Sequence, residues 1–262
     1  MPMNSVNTNV GAMVALQNLN ATNKQLEVAQ NRVNTGLKVA TAKDNGAIFA
    51  IATNQRAELG ALDAVKQSVQ RGQSIVDVAL AAGDTIVAAL TEMKSLAVAI
   101  EADGTTTSAS YLALKADYDA LQTEITKARN GATFDGVNLW TATAVTSVRV
   151  GTGTTDTYDI GIAGAATGVP ATVTAAGVDA AIKAITADLA TFGTQSKSLD
   201  RQLTFLGKLQ DAVEVGIGNL VDADLAKESA KLTALQTKQQ LGVQALSIAN
   251  SSSQILLNLF RS

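Results

Sequence analysis

The chain has 262 residues, a net charge of −3 with interspersed signs, 47% hydrophobic but only 3% aromatic side chains, two prolines, and neither cysteine nor histidine. That composition removes disulfides, thiol nucleophiles, imidazole bases and the commonest zinc ligands, and the lack of a basic patch argues against nucleic acid as a partner. No constellation of residues supports an enzyme, and neither cofactor nor metal is expected.

Residues 1–9 are small, polar and rich in Asn, and read as disordered; they lack the basic start and apolar run of a cleaved secretory signal. A helix is expected over residues 10–37, where Leu16, Leu19, Asn23, Leu26, Gln30, Val33 and Leu37 recur at spacings of three and four. Such a 3.5-residue repeat marks a helix that lies along another helix. Thr35-Gly36 and residues 40–46 interrupt the pattern, and 46–60 reads equally as helix or as an irregular spoke.

The clearest repeat follows. Leu62, Val65, Val69, Gly72, Val76, Ala79, Gly83, Ile86, Leu90, Met93, Ala97 and Ile100 alternate the two spacings without a slip, and the glycines permit close approach of another backbone. Asp103-Gly104 ends this helix. Its most apolar part, residues 75–90, is cut by Asp77, Gly83 and Asp84, so membrane insertion is not expected. A second helix carries Tyr111, Leu114, Tyr118, Leu121, Ile125 and Ala128, and closes at Asn130-Gly131.

From Thr141 to Gly177 the character shifts to Thr, Gly, Ala and Val. Tyr158, Ile160 and Ile162 alternate as a strand would, and Val148 and Val150 can pair with them across Gly151-Thr152-Gly153 as a small hairpin. Trp140, the single tryptophan, reads as packing at a bundle tip. A third long repeat then runs from Val178 through Ile185, Phe192, Leu199 and Leu206 to Leu220. The last helix follows from about Asp222, with Leu225, Leu232, Leu235, Gln239, Gly242, Leu246, Ala249, Ser253, Leu256 and Phe260 in rhythm.

The fold class is therefore mainly α: a long, antiparallel, rod-like bundle with paired terminal coiled-coil helices and a small β-hairpin insertion at one tip. Polar Asn23, Gln30, Gln239 and Ser253 in the terminal seams weaken a lone helix pair while fixing its register. Those helices are expected to be loose in a lone molecule and to order among neighbours. The apolar ending, Ile255-Leu256-Leu257-Asn258-Leu259-Phe260, points the same way, to assembly with copies of itself.

Four short motifs, in order, resemble those of bacterial flagellin. Val6-Asn7-Thr8-Asn9 is similar to the family's opening Ile-Asn-Thr-Asn. Arg32-Val33-Asn34-Thr35-Gly36-Leu37-Lys38-Val39 with Ala42-Lys43-Asp44-Asn45 resembles Arg-Leu-Ser-Ser-Gly-Leu-Arg-Ile with Ala-Lys-Asp-Asp. Phe134-Asp135-Gly136-Val137-Asn138-Leu139 resembles Phe-Asn-Gly-Val-Lys-Leu, and Asp222-Ala223-Asp224 through Leu257-Asn258-Leu259-Phe260-Arg261 resembles the family's C-terminal block.

The resemblance implies a structural subunit that polymerises into the filament used for swimming. It implies an inner tube from residues 1–45 with 222–262, an outer tube from 46–140 with 178–221, and a short variable surface insertion at 141–177. Implied partners are further copies of the chain, the flagellar export apparatus, an export chaperone, and the cap and hook-junction proteins. The implied location is extracellular, in the filament. Subunit contacts are expected at Leu16, Leu19, Leu26, Val33, Leu37, Leu232, Leu235, Leu246, Leu256, Leu257 and Phe260, and at Arg32 and Asp44 in the family's spoke between the tubes.

In family members sensed by the animal Toll-like receptor, one outer helix carries Leu-Gln-Arg-Val-Arg-Glu-Leu-Ala-Val. The matching segment here includes Leu90, Glu92, Lys94 and Leu96, with a reversed charge at Glu92, so recognition is expected to be impaired. Two other readings are a hook–filament junction protein and, from a different class, an exported helical pore-forming or translocator protein. The latter needs an apolar hairpin long enough for lipid, which the chain lacks.

Overall fold

The computed structural model describes residues 9–141, 145–165 and 168–259, with 252–259 as main chain alone. Residues 1–8 and Phe260, for which disorder and a subunit contact were expected, lie outside the described residues. The element order is α1 (Val10–Thr35), α2 (Gly46–Asp103), α3 (Ala109–Gly131), β1 (Thr146–Arg149), β2 (Thr157–Ile160), α4 (Ala175–Val221) and α5 (Leu225–Leu259). Two compact units result: residues 57–212, and residues 1–56 with 213–262.

In the first unit, α2, α3 and α4 enclose one hydrophobic core. The twelve repeat positions of α2 from Leu62 to Ile100, the two glycines included, are all buried. On α4 every seventh residue from Val178 to Leu206 is buried, and the alternate repeat positions are half-buried. Burying each large aliphatic side chain contributes about 1.5–3 kcal/mol, so these seams dominate the unit's stability.

Polar contacts along the edges fix how α2 and α4 align. Lys94 Nζ meets Asp179 at 2.7 Å, Ser196 Oγ donates to Asp77 at 3.4 Å, Gln73 Nε2 donates to Asp200 at 2.6 Å, and Gln210 Nε2 donates to Asp63 at 2.7 Å. Each step forward on α2 is matched by an equal step back on α4, so the helices are antiparallel in one unbroken register.

The hairpin is present and shorter than expected. Thr146 pairs with Ile160 and Val148 with Tyr158, while Val150 and Ile162 fall beyond the strands. The turn is wider than Gly-Thr-Gly: Val150 N–H donates to Asp156 O at 2.9 Å, and the Asp156 carboxylate accepts from Gly153 N–H at 3.0 Å.

The expected position at a tip needs correction. Val148 sits over Gly72, where an added Cβ would lie 2.6 Å from a valine methyl, and Ser68 accepts from Arg149 N–H at 3.2 Å. Gln195 exchanges two 3.0 Å hydrogen bonds with the Gly161 peptide groups, and Gln202 donates to Val150 O at 3.0 Å. The hairpin therefore lies along the flank of α2 and α4, held there by a glycine notch and by amide groups directed at its main chain. Trp140 is likewise buried beside the middle of α2, its indole N–H donating to Ala79 O at 2.8 Å. Gly83 makes room for that ring, and Phe192 meets it edge-on at 5.1 Å.

The stretch 46–60, ambiguous in sequence, is helical throughout as the start of α2. By length and composition α2 can cross a membrane, with an 18-residue window of mean hydropathy 1.6. Its apolar repeat is the face turned into the core.

Candidate functional site

α1 ends as its sequence dictates. Gly36 takes a left-handed φ of 70° and donates its N–H to Arg32 O at 2.9 Å, a conformation that costs a glycine little. Beyond it the chain pairs with the break between α4 and α5. Lys38 N–H donates to Val221 O at 2.6 Å, Ala223 N–H donates to Gly36 O at 2.8 Å, and Leu37 bridges Asp222. Asp224 then caps α5, accepting from Ala226 and Lys227 N–H at 3.1 Å.

α1 and α5 lie side by side. Three polar rungs define their antiparallel register: Asn9 to Ala249 O at 2.8 Å, Gln239 to Asn23 at 2.8 Å, and Arg32 to Glu228 at 3.0 Å. Between the rungs, Leu19, Thr22, Leu26 and Ala29 turn inward on α1, with Val33 just beyond the last, and Leu232, Leu235, Gly242 and Leu246 do so on α5. Leu19 packs over Gly242, where an added Cβ would meet its methyl at 3.2 Å.

This corrects half of the expected α1 seam. Leu19, Leu26 and Val33 are in it; Leu16, Asn23 and Gln30 are exposed, displaced by Ala15, Thr22 and Ala29 one position earlier. Small side chains let the backbones approach more closely than a leucine–leucine seam would. A seven-residue repeat of small residues was the available signal, overlooked because large apolar residues draw the eye. On α5, Leu232, Leu235 and Leu246, expected at contacts between subunits, face α1 of the same chain, whereas Leu225 is exposed.

The two charged candidates have local partners. Arg32 bonds Glu228, leaving its own Nε and the second Glu228 oxygen buried without hydrogen bonds. Asp44 accepts from Thr41 N–H and hydroxyl and from Ala40 N–H at 2.9–3.1 Å. Those Thr41 bonds, more than the distant Arg32 charge, hold its carboxyl below the usual aspartate range. Leu37 belongs to the bridge with Asp222 rather than to a helical seam. The side chains of Leu256 and Leu257 are outside the described residues.

In the receptor-like segment, Leu90 is wholly buried and Lys94 is tied to Asp179, while Glu92 is exposed and Leu96 half-buried. Leu90 is part of the core and not of the exposed side of this segment.

Both terminal helices are apolar on the side turned away from each other. Val10, Met13, Val14 and Val28 are exposed there on α1, as is Ile248 on α5 at 68%, whereas exposed Leu241 edges a groove beside Ala15, Leu19 and Thr22 of α1. On the outer side of α1, Met13, Leu16, Gln17, Asn20, Ala21 and Lys24 line a shallow groove of about 440 Å³. Among the described residues of this helix pair only Thr22, Ala29 and Leu235 are fully buried. An amphipathic surface helix shows one apolar stripe; a helix apolar on opposite faces is built to be surrounded.

Comparison with known proteins agrees. Residues 6–144 match the bacterial flagellin N-terminal helical region, and residues 175–260 match the bacterial flagellin C-terminal helical region. The chain is 52% identical to flagellin FljM and to flagellin FljK of Caulobacter vibrioides, with all of each chain covered. It is 36% identical to a flagellin of Brucella melitensis, covering 99% of this chain and all of that one. The chain therefore belongs to the bacterial flagellins, as a structural subunit of the flagellar filament.

Proposed function

We propose that the outward faces of α1 and α5 are the surfaces through which neighbouring subunits pack. The carrying observation is the apolar residues on the faces that α1 and α5 turn away from each other, Val10, Met13, Val14 and Val28 with Ile248. Faces that differ from one another yet fit neighbouring copies make heterologous contacts, which propagate as open helical fibres. In this reading residues 1–45 with 222–262 build the inner tube, 46–140 with 178–221 the outer tube, and 141–177 the surface. The terminal pair gains its full order when neighbours cover these faces, because its own core is thin.

Leu16 fits a contact with another subunit better than one within the chain, being exposed beside the α1 groove. Leu256, Leu257 and Phe260 extend the same apolar character to the end of the sequence. Family membership supports export through the flagellar apparatus with a chaperone, and growth outside the cell between hook-junction and cap proteins. Arg32 and Asp44 act in this reading by holding the turns that orient the terminal helices.

Seeded polymerisation tests the proposal. Ile248→Lys and Val28→Lys are expected to keep the helicity of the isolated subunit while raising its critical concentration at least about tenfold. Normal filaments from both variants, seen by electron microscopy at the usual concentration, overturn it.

A further inference from the structure

Met13 stands out among the exposed apolar residues because its side chain can be chemically converted to a polar one. It is 63% exposed, lines the outer groove of α1 with Leu16 and Ala21, and has Val10 and Val14 as neighbours on the exposed side of the helix. Met93, by contrast, is wholly enclosed in the α2–α3–α4 core.

We propose that Met13 is an oxidation site at which hydroperoxides block incorporation of a subunit that has not yet assembled. The proposal rests on the reading of the α1 outer face as a packing surface. In the step, a lone pair on the thioether sulfur attacks one peroxide oxygen. The S–O bond forms as the O–O bond breaks, the proton of the attacked oxygen passes through solvent to the leaving oxygen, which departs as water or an alcohol, and the sulfur is oxidised by two electrons while the peroxide is reduced by two. The sulfoxide is a strong hydrogen-bond acceptor with a large dipole. On an exposed helix it is solvated and leaves the isolated subunit folded. Against an apolar neighbour it must surrender that solvation without a donor in return.

Two consequences follow from the geometry. Once assembled, the site is covered by the neighbour and protected, so the sensitive population is the free subunit. The lesion is also reversible, because methionine sulfoxide reductases restore the thioether.

The test treats the full-length monomer, Met13→Leu and Met13→Gln with hydrogen peroxide, removes the oxidant, and follows seeded growth by light scattering, with peptide mass spectrometry for site occupancy. Oxidised wild type is expected to show at least about a tenfold higher critical concentration. Oxidised Met13→Leu should grow at least about tenfold better than oxidised wild type, and reductase treatment should restore the wild type. Met1 and Met3 are common to all three chains, so their oxidation cancels in the comparison.

Equal loss in oxidised Met13→Leu overturns the proposal, as does normal growth of wild type whose Met13 is fully converted. Untreated Met13→Gln separates the two levels. If it grows normally, the outer face of α1 is not a packing surface. If it is blocked while peroxide leaves Met13 unmodified, the packing reading stands and the oxidation site falls.

Discussion

Arg32 Nη1 lies 3.0 Å from Glu228 Oε1, joining the last turn of α1 to the first turn of α5. The contact is single, although each side chain has a second polar atom buried beside it without a hydrogen bond. Both groups are largely shielded from water, so this pair is governed by the cost of desolvation as much as by attraction.

Glu228→Ala leaves the Arg32 charge enclosed and unpaired. Destabilisation of the terminal helix pair by about 2–3 kcal/mol is expected, whereas Arg32→Met combined with Glu228→Leu should recover most of it. Denaturant titration followed by far-ultraviolet circular dichroism checks both, and additive losses in the double variant contradict the account.

Gly83→Ala places a Cβ 2.3 Å from a Leu189 methyl and 2.9 Å from the Trp140 ring. The leucine can rotate, but the indole is fixed by its bond to Ala79 O. Overpacking of about 1–3 kcal/mol then exceeds the gain of about 1 kcal/mol in helix propensity. Since Trp140 is the sole tryptophan, its fluorescence reports the shift; an unchanged spectrum with raised thermal stability refutes it.

Trp140→Phe removes the indole donor to Ala79 O and part of the ring packed on Phe192. A loss of about 1–3 kcal/mol in the α2–α3–α4 unit is expected, read from the unfolding midpoint.

Asp44 has a lowered pKa because the folded turn presents Thr41 and Ala40 donors to its carboxylate. A carboxyl depressed on folding stabilises fully above the unfolded value of about 3.9. That contribution disappears as pH falls through the lower folded value. Asp44→Asn should therefore change the stability of residues 40–44 at neutral pH and have no further effect in strong acid, measured by amide exchange across the range.

Receptor activation by this flagellin is expected to be weak, because Glu92 reverses a charge and Lys94 is engaged by Asp179. Glu92→Arg should raise the response in a reporter assay; strong activation by the unaltered protein sinks the inference.

Much of the architecture was written in spacing. The α2 repeat from Leu62 to Ile100 is buried at every position, because a long uninterrupted seam leaves one face to put inward. The Gly72 and Gly83 notches were also legible as sites of close approach, although not what would approach them. Pattern alone could not choose between Leu16 and Ala15, Asn23 and Thr22, or Gln30 and Ala29 on α1. Those positions differ by one residue, and the choice depends on how closely α5 can come.

Sequence by itself determined the helices apart from residues 46–60, their ends at Gly36 and Asp103, the presence of a hairpin and the family, since periodicity, capping and short motifs are local properties of a chain. Tertiary structure decided that the hairpin lies along a flank, that Arg32 answers Glu228, and that Leu90 is enclosed while Met13 is open to solvent. Each of these depends on which surfaces meet across long stretches of chain, and that is settled by side-chain size and polarity on both partners together.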